Sequence, residues 1–301
     1  MISRRALLRG LAGATVGGLG LAGYAFGIEP RYRLNVKRYV VSPPNWPTGF
    51  SLKLAVVADL HASEPVMPPA RIEEIVAATN ALAADAILLL GDYAASHDWQ
   101  TRRVLPREWA PLIGQLKAPL GVHAVLGNHD WWDDEIAQRD RKGPTASRRA
   151  LEDAGIPVYE NDAVRLTKAA QPFWLAGLGD QIAFITGRDG RRMLFQGVDD
   201  LGGTLERVNG EEPVILLAHE PDIFPSVPHR VALTLSGHTH GGQVRLFGYS
   251  PIVPSSYGNR YAYGHIVEEG RSLIVSGGLG CSILPVRFGV PPEIVVVDIA
   301  A

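Results

Sequence analysis

Hydrophobic positions along this chain recur in two rhythms. Short, nearly unbroken apolar runs occur at LKLAVVA (52–58), AILLL (86–90), GVHAVL (121–126), FWLAGLG (173–179), PVILLA (213–218) and VALTLS (231–236). Runs of this length, bounded by Gly, Asp or Asn, predict buried strands. Between them, RIEEIVAATNALAA (71–84) spaces its apolar residues near 3.6 and predicts a helix. Helices are also expected over 103–117, over 144–154 (Pro at its start, Gly155 just past its end) and over 200–209. YRLNVKRYVV (32–41) partly alternates and predicts an edge strand, and Pro43, Pro44 and Pro47 mark a turn or linker after it. The last stretch, 262–299, is strand-rich. Strand–helix alternation followed by a strand-rich end predicts an α/β fold layered as a sandwich rather than closed as a barrel.

The first 28 residues obey neither rhythm. SRRALLR, from Ser3 to Arg9, precedes a mildly apolar, Gly-rich run from Gly10 to Ile28. Paired Arg4 and Arg5 ahead of such a run resemble a twin-arginine export signal, with a cleavage site after Ala25. The same run, of about 19 residues, is long enough to serve as an uncleaved membrane anchor. Both readings stand at this point, because Arg31, Arg33, Lys37 and Arg38 follow the run and charge does not fix its orientation. The expected organisation is a signal or anchor over 1–28, an edge strand and linker over 29–49, and one catalytic domain over 50–301. The expected location is across, or anchored to, the bacterial cytoplasmic membrane at its outer face, with the twin-arginine machinery as partner; an uncleaved anchor with the domain inside is the alternative.

Composition narrows this little. The chain has 301 residues, 46% hydrophobic and 20% charged, with a net charge of -2. No global field favours nucleic acid, so an anionic substrate must be drawn by a local site. The one cysteine, Cys281, excludes an intrachain disulfide and sits in SGGLGCS as a small residue in a Gly-rich stretch.

Candidate chemistry stands at the carboxyl ends of the apolar runs. Asp59 and His61 come after the first, Gly91 and Asp92 after the second, and Asn128, His129 and Asp130 (GNHD) after the third. His219 comes after PVILLA, and His238 and His240 (GHTH) after VALTLS. Metal-capable residues thus stand at five strand ends, the edge where open α/β sheets place ligands. Mixed imidazole, carboxylate and amide donors tolerate Zn, Fe or Mn, and a carboxylate with two oxygens can bridge a pair of cations. In DxH and HxH, side chains two apart on an extended strand share a face, so both members reach one site. DxH and GD are each common; GNHD and GHTH are rarer, and the ordered set carries the signal.

That ordered set (D-x-H, GD, GNHD, a lone His, GHTH) resembles the calcineurin-like metallophosphoesterase superfamily over roughly residues 50–300. HEPD (219–222), GHTHGGQVRL (237–246) and GLGCSILPVRFGVPPEI (278–294) look like its branch of exported bacterial YkuE/YaeI-type phosphoesterases. The resemblance implies an α/β/β/α sandwich of two mixed sheets flanked by helices. It also implies two divalent metal ions (Mn, Zn or Fe): Asp59, His61 and His240 on the first, Asn128, His219 and His238 on the second, Asp92 bridging. A metal-bound hydroxide would attack phosphorus, and His129 would protonate the leaving oxygen or contact the phosphate. The implied substrate is a phosphorylated small molecule or lipid. Within the same superfamily stand a UDP-2,3-diacylglucosamine pyrophosphatase of lipid A synthesis and a non-catalytic scaffold; scaffolds usually lose part of the constellation, which is whole here. A residue orienting His129 is implied three positions after Asp92, where this chain has Ala95; His97, Asp98 and Asp130 are the candidates to replace it.

Other features weigh less. Trp131 and Trp132 are expected either to wall the site or to pack beside it. Arg139, Arg141, Lys142, Arg148 and Arg149, and again Arg188, Arg191 and Arg192, read as solvated loops. His97, His123, His229 and His265 read as structural, and nothing in the spacing of Asn259 and Arg260 requires a site.

Overall fold

Two mixed sheets lie face to face in the computed structural model, which describes residues 4–300 apart from Ser96 and Arg191. Ser3, at the head of the export-signal pattern, and Arg191, in the second basic run, lie outside the described residues. The first sheet runs in the order 35–41, 293–299, 52–57, 86–89 and 122–124; the second runs 264–268, 271–275, 231–236, 214–217, 171–177 and 162–168. Within each, the strands that lead into the motifs are parallel neighbours: 52–57 with 86–89 with 122–124, and 214–217 with 231–236.

Continuous apolar runs are required because these strands are covered on both sides. Leu54, Val56 and Leu88 meet Leu175, Leu217, Leu235 and Ile274 between the sheets. The alternate residues Ala55, Val57, Ile87 and Leu89 face the other way, onto the helices Pro69–Ala81, Pro106–Ile113 and Ala146–Asp153. Beyond the second sheet, Val214 and Leu216 pack with Phe224 of the turn Pro221–Ser226 and with Leu205 of the helix Leu201–Glu206. The order helix, sheet, sheet, helix matches the expected sandwich.

Some expected boundaries shift. The helix foreseen over 103–117 covers only Pro106–Ile113. Pro106 takes the first helical turn, where a missing N–H costs nothing, and Glu108 accepts a hydrogen bond from the Leu105 N–H at 3.0 Å. Arg102 and Arg103 instead pair with Ser63 and Glu64 in a two-strand ribbon. The hairpin Phe184–Asp189 with Arg192–Gln196 was not legible, because its faces are largely exposed, and the strand Asp162–Lys168 offers only Val164 and Leu166 in alternation.

The N-terminal segment is one unbroken helix from Arg4 to Tyr32, 29 residues long and apolar enough to cross a membrane. It passes through a wider turn at Tyr24–Ile28 and does not stop at Ile28. Among the described residues, its last part packs on the domain, burying Ala25, Glu29 and Pro30.

Candidate metal centre

The five loops that carry the motifs leave the carboxyl ends of parallel strands at the shared mouth of the sandwich. The first sheet supplies Asp59, His61, Asp92, Asn128 and His129; the second supplies His219, His238 and His240. Geometry here corrects the extended-strand argument for DxH and HxH. Asp59, His61, Asp92, His238 and His240 all adopt left-handed backbone, with φ of 54°, 45°, 56°, 67° and 52°. Tight turns, not strand alternation, aim the side chains. Each such residue costs on the order of 1 kcal/mol or more, a strain that persists only where surrounding bonds enforce it.

Those bonds are present. His61 N–H donates to the Asp92 carbonyl at 2.9 Å, and Asp59 N–H donates to that of Gly91 at 3.1 Å. The two sheets are stitched by His238 N–H donating to Asp59 Oδ1 at 2.8 Å. Asp92 Oδ1 accepts the N–H of His129 at 2.8 Å. The Asp130 carboxylate accepts N–H groups from Asp92, Tyr93 and Gly127 at 2.9, 3.1 and 3.0 Å, so it locks two motif loops together and does not orient His129. Gly127 is obligatory: a Cβ there would meet the His219 ring at 2.6 Å and collide with Asp92.

Donor atoms converge on two overlapping groups, Asp59, His61, Asp92 and His240 in one, and Asp92, His219 and His238 in the other, each with ligand atoms within 4.8 Å. Asp92 belongs to both. Asn128 Oδ1 lies 2.8 Å from His238 Nδ1, which joins it to the second group. The tautomers are decisive. His61 Nδ1 faces the Ala94 carbonyl at 3.1 Å and His219 Nδ1 faces the Leu90 carbonyl at 2.6 Å, so both Nδ1 atoms carry the proton. Their Nε2 atoms then face Asp92 Oδ2, 3.4 and 3.2 Å away. His61 Nε2 also stands 3.0 Å from His240 Nε2. Buried acceptors facing acceptors are unfavourable unless something positive lies between them. Asp59 Oδ2 and His219 Nε2, both buried, have no hydrogen-bond partner. The donor set therefore suits a dinuclear divalent metal centre.

Electrostatics agree. Burial pushes the Asp59 carboxyl up to about 7, with Asp92 adding to the rise and His219 opposing it. Burial pulls His61 down to about 3 and His240 well below its ordinary value. Burial also works against the charge on His219, but the Asp92 carboxylate outweighs it and the imidazole is raised.

His129 stands apart from both ligand groups. It lies in the short helix Asn128–Trp132, where successive side chains diverge, so its ring leaves in a different direction from that of Asn128. Its Nδ1 lies 3.8 Å from Asp133 Oδ2, and its Nε2 lies 3.3 Å from Ser282 Oγ. Burial opposes the protonated ring, whereas the Asp92 and Asp133 carboxylates favour it and prevail. The carboxylate facing His129 is thus Asp133, not His97, Asp98 or Asp130; Ala95 is buried, and both ring nitrogens of His97 lack a partner. The spacing His129–Asp133, one helical turn, would have revealed this had the helix been foreseen at GNHD.

Sequence reasoning also passed over Arg287. Its fully buried guanidinium donates to the carbonyls of Gly277 and Val290 and lies 3.2 Å from His240 Nδ1. Trp131 is core, packed against Phe184, whereas Trp132 lies at the rim between His129 and Phe195. In the first basic run, Arg139 pairs with Asp140, Arg148 with Glu152 and Arg149 with Asp134, away from the site. His123 bonds Tyr159 and Leu120, and Arg260 pairs with Glu268, as structural residues do. Cys281 is buried, and burial raises its thiol, so it is no nucleophile.

A two-sheet sandwich with shared Asp, His and Asn donors at its carboxyl edge defines a metal-dependent hydrolase. Residues 52–242 match the calcineurin-like phosphoesterase family. Metallophosphoesterase YkuE of Bacillus subtilis (strain 168) is 30% identical over 303 residues, covering 98% of this chain and 96% of its own length. A metallophosphoesterase of Aquifex aeolicus (strain VF5) is 30% identical over 271 residues, 89% of this chain and 92% of its own. A Danio rerio "transmembrane protein with metallophosphoesterase domain" is 27% identical over 250 residues, 81% of this chain and 52% of its own. The chain belongs to the calcineurin-like phosphoesterase family and is a phosphoric ester hydrolase.

Proposed function

We propose that this protein hydrolyses a phosphate ester or anhydride of a small molecule or lipid at the outer face of the cytoplasmic membrane, using a dinuclear metal centre. The observation that carries this reading is the pair of imidazole Nε2 atoms aimed at one oxygen of Asp92, which belongs to both donor groups. Asp59, His61 and His240 would hold one cation and Asn128, His219 and His238 the other, with Asp92 between them. Manganese, zinc or iron fits a donor set of this mixture. When bound, the two cations supply Lewis-acid stabilisation of phosphoryl charge and lower the pKa of water toward about 7. The chain's own contribution is positional. Left-handed turns aim Asp59, His61, Asp92, His238 and His240, and Asp92 and Asp133 favour the protonated His129 ring, which would give its proton to the leaving oxygen.

Export by the twin-arginine route is supported by Arg4 and Arg5 at the start of a helix of membrane-spanning length. Retention of that helix as an anchor is supported by Ala25, which is buried with its carbonyl bonded to the Arg287 N–H at 2.9 Å. A peptidase cutting after Ala25 would have to open a packed helix on a folded domain. The transmembrane relative in Danio rerio is in keeping with an anchored enzyme. The near-neutral charge gives no reason to expect a nucleic-acid partner.

The test is hydrolysis by the purified, metal-reconstituted chain across phosphomonoesters, phosphodiesters and UDP-sugar lipids. Turnover that needs added divalent metal and vanishes with chelator is expected on at least one of these classes. Metal-independent turnover, or none on any class, overturns the proposal.

A further inference from the structure

The N-terminal helix meets the domain at the loop that closes the metal centre. Tyr24 packs edge-on against Phe288, with ring centroids 6.3 Å apart, next to the bond between Ala25 and Arg287. Phe288 is itself paired to the GHTH loop, its N–H donating to the Gln243 carbonyl at 2.9 Å and its carbonyl accepting from Arg245 N–H at 2.8 Å. Two short loops project from this junction. One is the turn Leu246–Tyr249, closed by reciprocal backbone bonds of 2.8 and 2.9 Å. At its tip Phe247 has left-handed backbone and is 107% exposed. The other carries Ile283, 74% exposed, and Leu284. Gln243 ties them to each other and to the site: its amide donates to the Leu284 carbonyl at 2.9 Å, and its Oε1 accepts from Ser282 N–H at 2.7 Å. Ser282 Oγ is the atom 3.3 Å from His129 Nε2.

Large apolar side chains are held out on tight, hydrogen-bonded loops, exposed among the described residues. Single exposed apolar residues need no explanation, but a cluster joined to a membrane-length helix does. We propose that these two loops form a membrane-contacting rim of the active site. Phe247 and Ile283 dip into the bilayer beside the embedded helix, and the phosphate headgroup of a lipid in that bilayer is offered to the metal centre. Exposed Arg33, Lys37 and Arg38, immediately after the helix, stand where anionic headgroups would lie. A lipid surface, rather than a protein, is the occupant because a retained helix of membrane-spanning length would place this junction against a bilayer. The substrate half of the inference rests on the phosphoester-hydrolase reading, and the membrane contact rests on the anchor reading alone.

The test uses the full chain reconstituted into vesicles of phosphatidylcholine and phosphatidylglycerol. A polarity-sensitive fluorophore is attached at Phe247→Cys or Ile283→Cys, and for reference at Ala170→Cys, in the turn between 162–168 and 171–177 at the opposite end of the sandwich. Native Cys281 is buried and does not compete for label. Emission shifted to the blue and quenched by brominated lipid at 247 and 283, but not at 170, is expected. Equal response at all three positions overturns the membrane rim, whatever the enzyme hydrolyses. The metal-loaded double variant Phe247→Ser, Ile283→Ser should then lose about tenfold or more of its turnover of phosphatidic acid in vesicles, while soluble nitrophenyl phosphate is turned over unchanged. A wild-type enzyme that cleaves the soluble ester but not phosphatidic acid, or a variant that loses both equally, overturns lipid presentation. Absence of turnover on both by the wild type overturns presentation of a phosphomonoester lipid, and the fluorescence result still decides the rim.

Discussion

Asp133 stands one helical turn beyond His129, with its Oδ2 3.8 Å from Nδ1 of the ring and both side chains largely buried. The pair sits outside the ligand groups, so it can be altered without removing a metal donor. His129→Ala should keep its metal while turnover falls by about 10²–10⁴-fold, as loss of a general acid does. The deficit should shrink with nitrophenyl esters, whose leaving groups need little protonation. Metal analysis beside turnover, across leaving groups of differing pKa, checks this; loss of metal in the variant would refute the role.

Asp133→Asn should act more mildly, lowering kcat about 10–100-fold with metal content intact. Its carboxylate favours the imidazolium, so removing it lowers the pKa of His129. The alkaline limb of the pH–rate profile should therefore move to lower pH. A profile displaced upward or left in place would leave Asp133 a packing residue.

His238→Ala should behave oppositely to His129→Ala. His238 belongs to the group shared with Asp92 and His219 and contacts Asn128 at 2.8 Å. Metal and activity should fall together on every substrate, whatever its leaving group. Full metal occupancy in this variant would remove His238 from the proposed ligand set.

Metal loading should expel protons. Without metal, burial holds Asp59 protonated up to about 7, and His219 is raised by Asp92. Both must be deprotonated to bind a cation. At a pH of about 6 both carry protons to release, whereas at about 8 Asp59 has already lost its own, so release should be greater in the more acidic buffer. Titration calorimetry in buffers of different ionisation enthalpy reads the count directly. An equal count at both values would mean that Asp59 is not a ligand.

Replacing Arg4 and Arg5 by lysine should trap the chain in the cytoplasm, with loss of the general secretory route having no effect on the wild type. The exported wild type should keep residues 4–32, because Ala25 is packed against the domain. Export of the double variant at the normal rate would eliminate the twin-arginine reading. An N-terminus beginning near residue 26 would eliminate the anchor.

The buried strands were legible because burial on both faces demands unbroken apolar runs, and that demand is local. Asp59, His61, Asp92, Asn128, His219, His238 and His240 were legible as candidates for a related reason: each lies just past such a run, and strand ends are where a sandwich opens. Their convergence was not. It depends on left-handed turns enforced by bonds between distant segments, such as His238 N–H to Asp59 Oδ1, which no spacing of two or three residues encodes. The helix at GNHD was hidden by its length, a single turn with no apolar period of its own, and with it went the pairing of His129 with Asp133. Arg287 was equally invisible, since its role comes from carbonyls of Gly277 and Val290 that only the folded loop gathers around it. The sequence by itself determined the donor types, their order and the membrane-length first segment, because residue chemistry and hydrophobic period are carried locally. Only the tertiary structure decided which imidazole faces which carboxylate, and that the helix ends against the active-site loop, because such contacts join residues far apart along the chain.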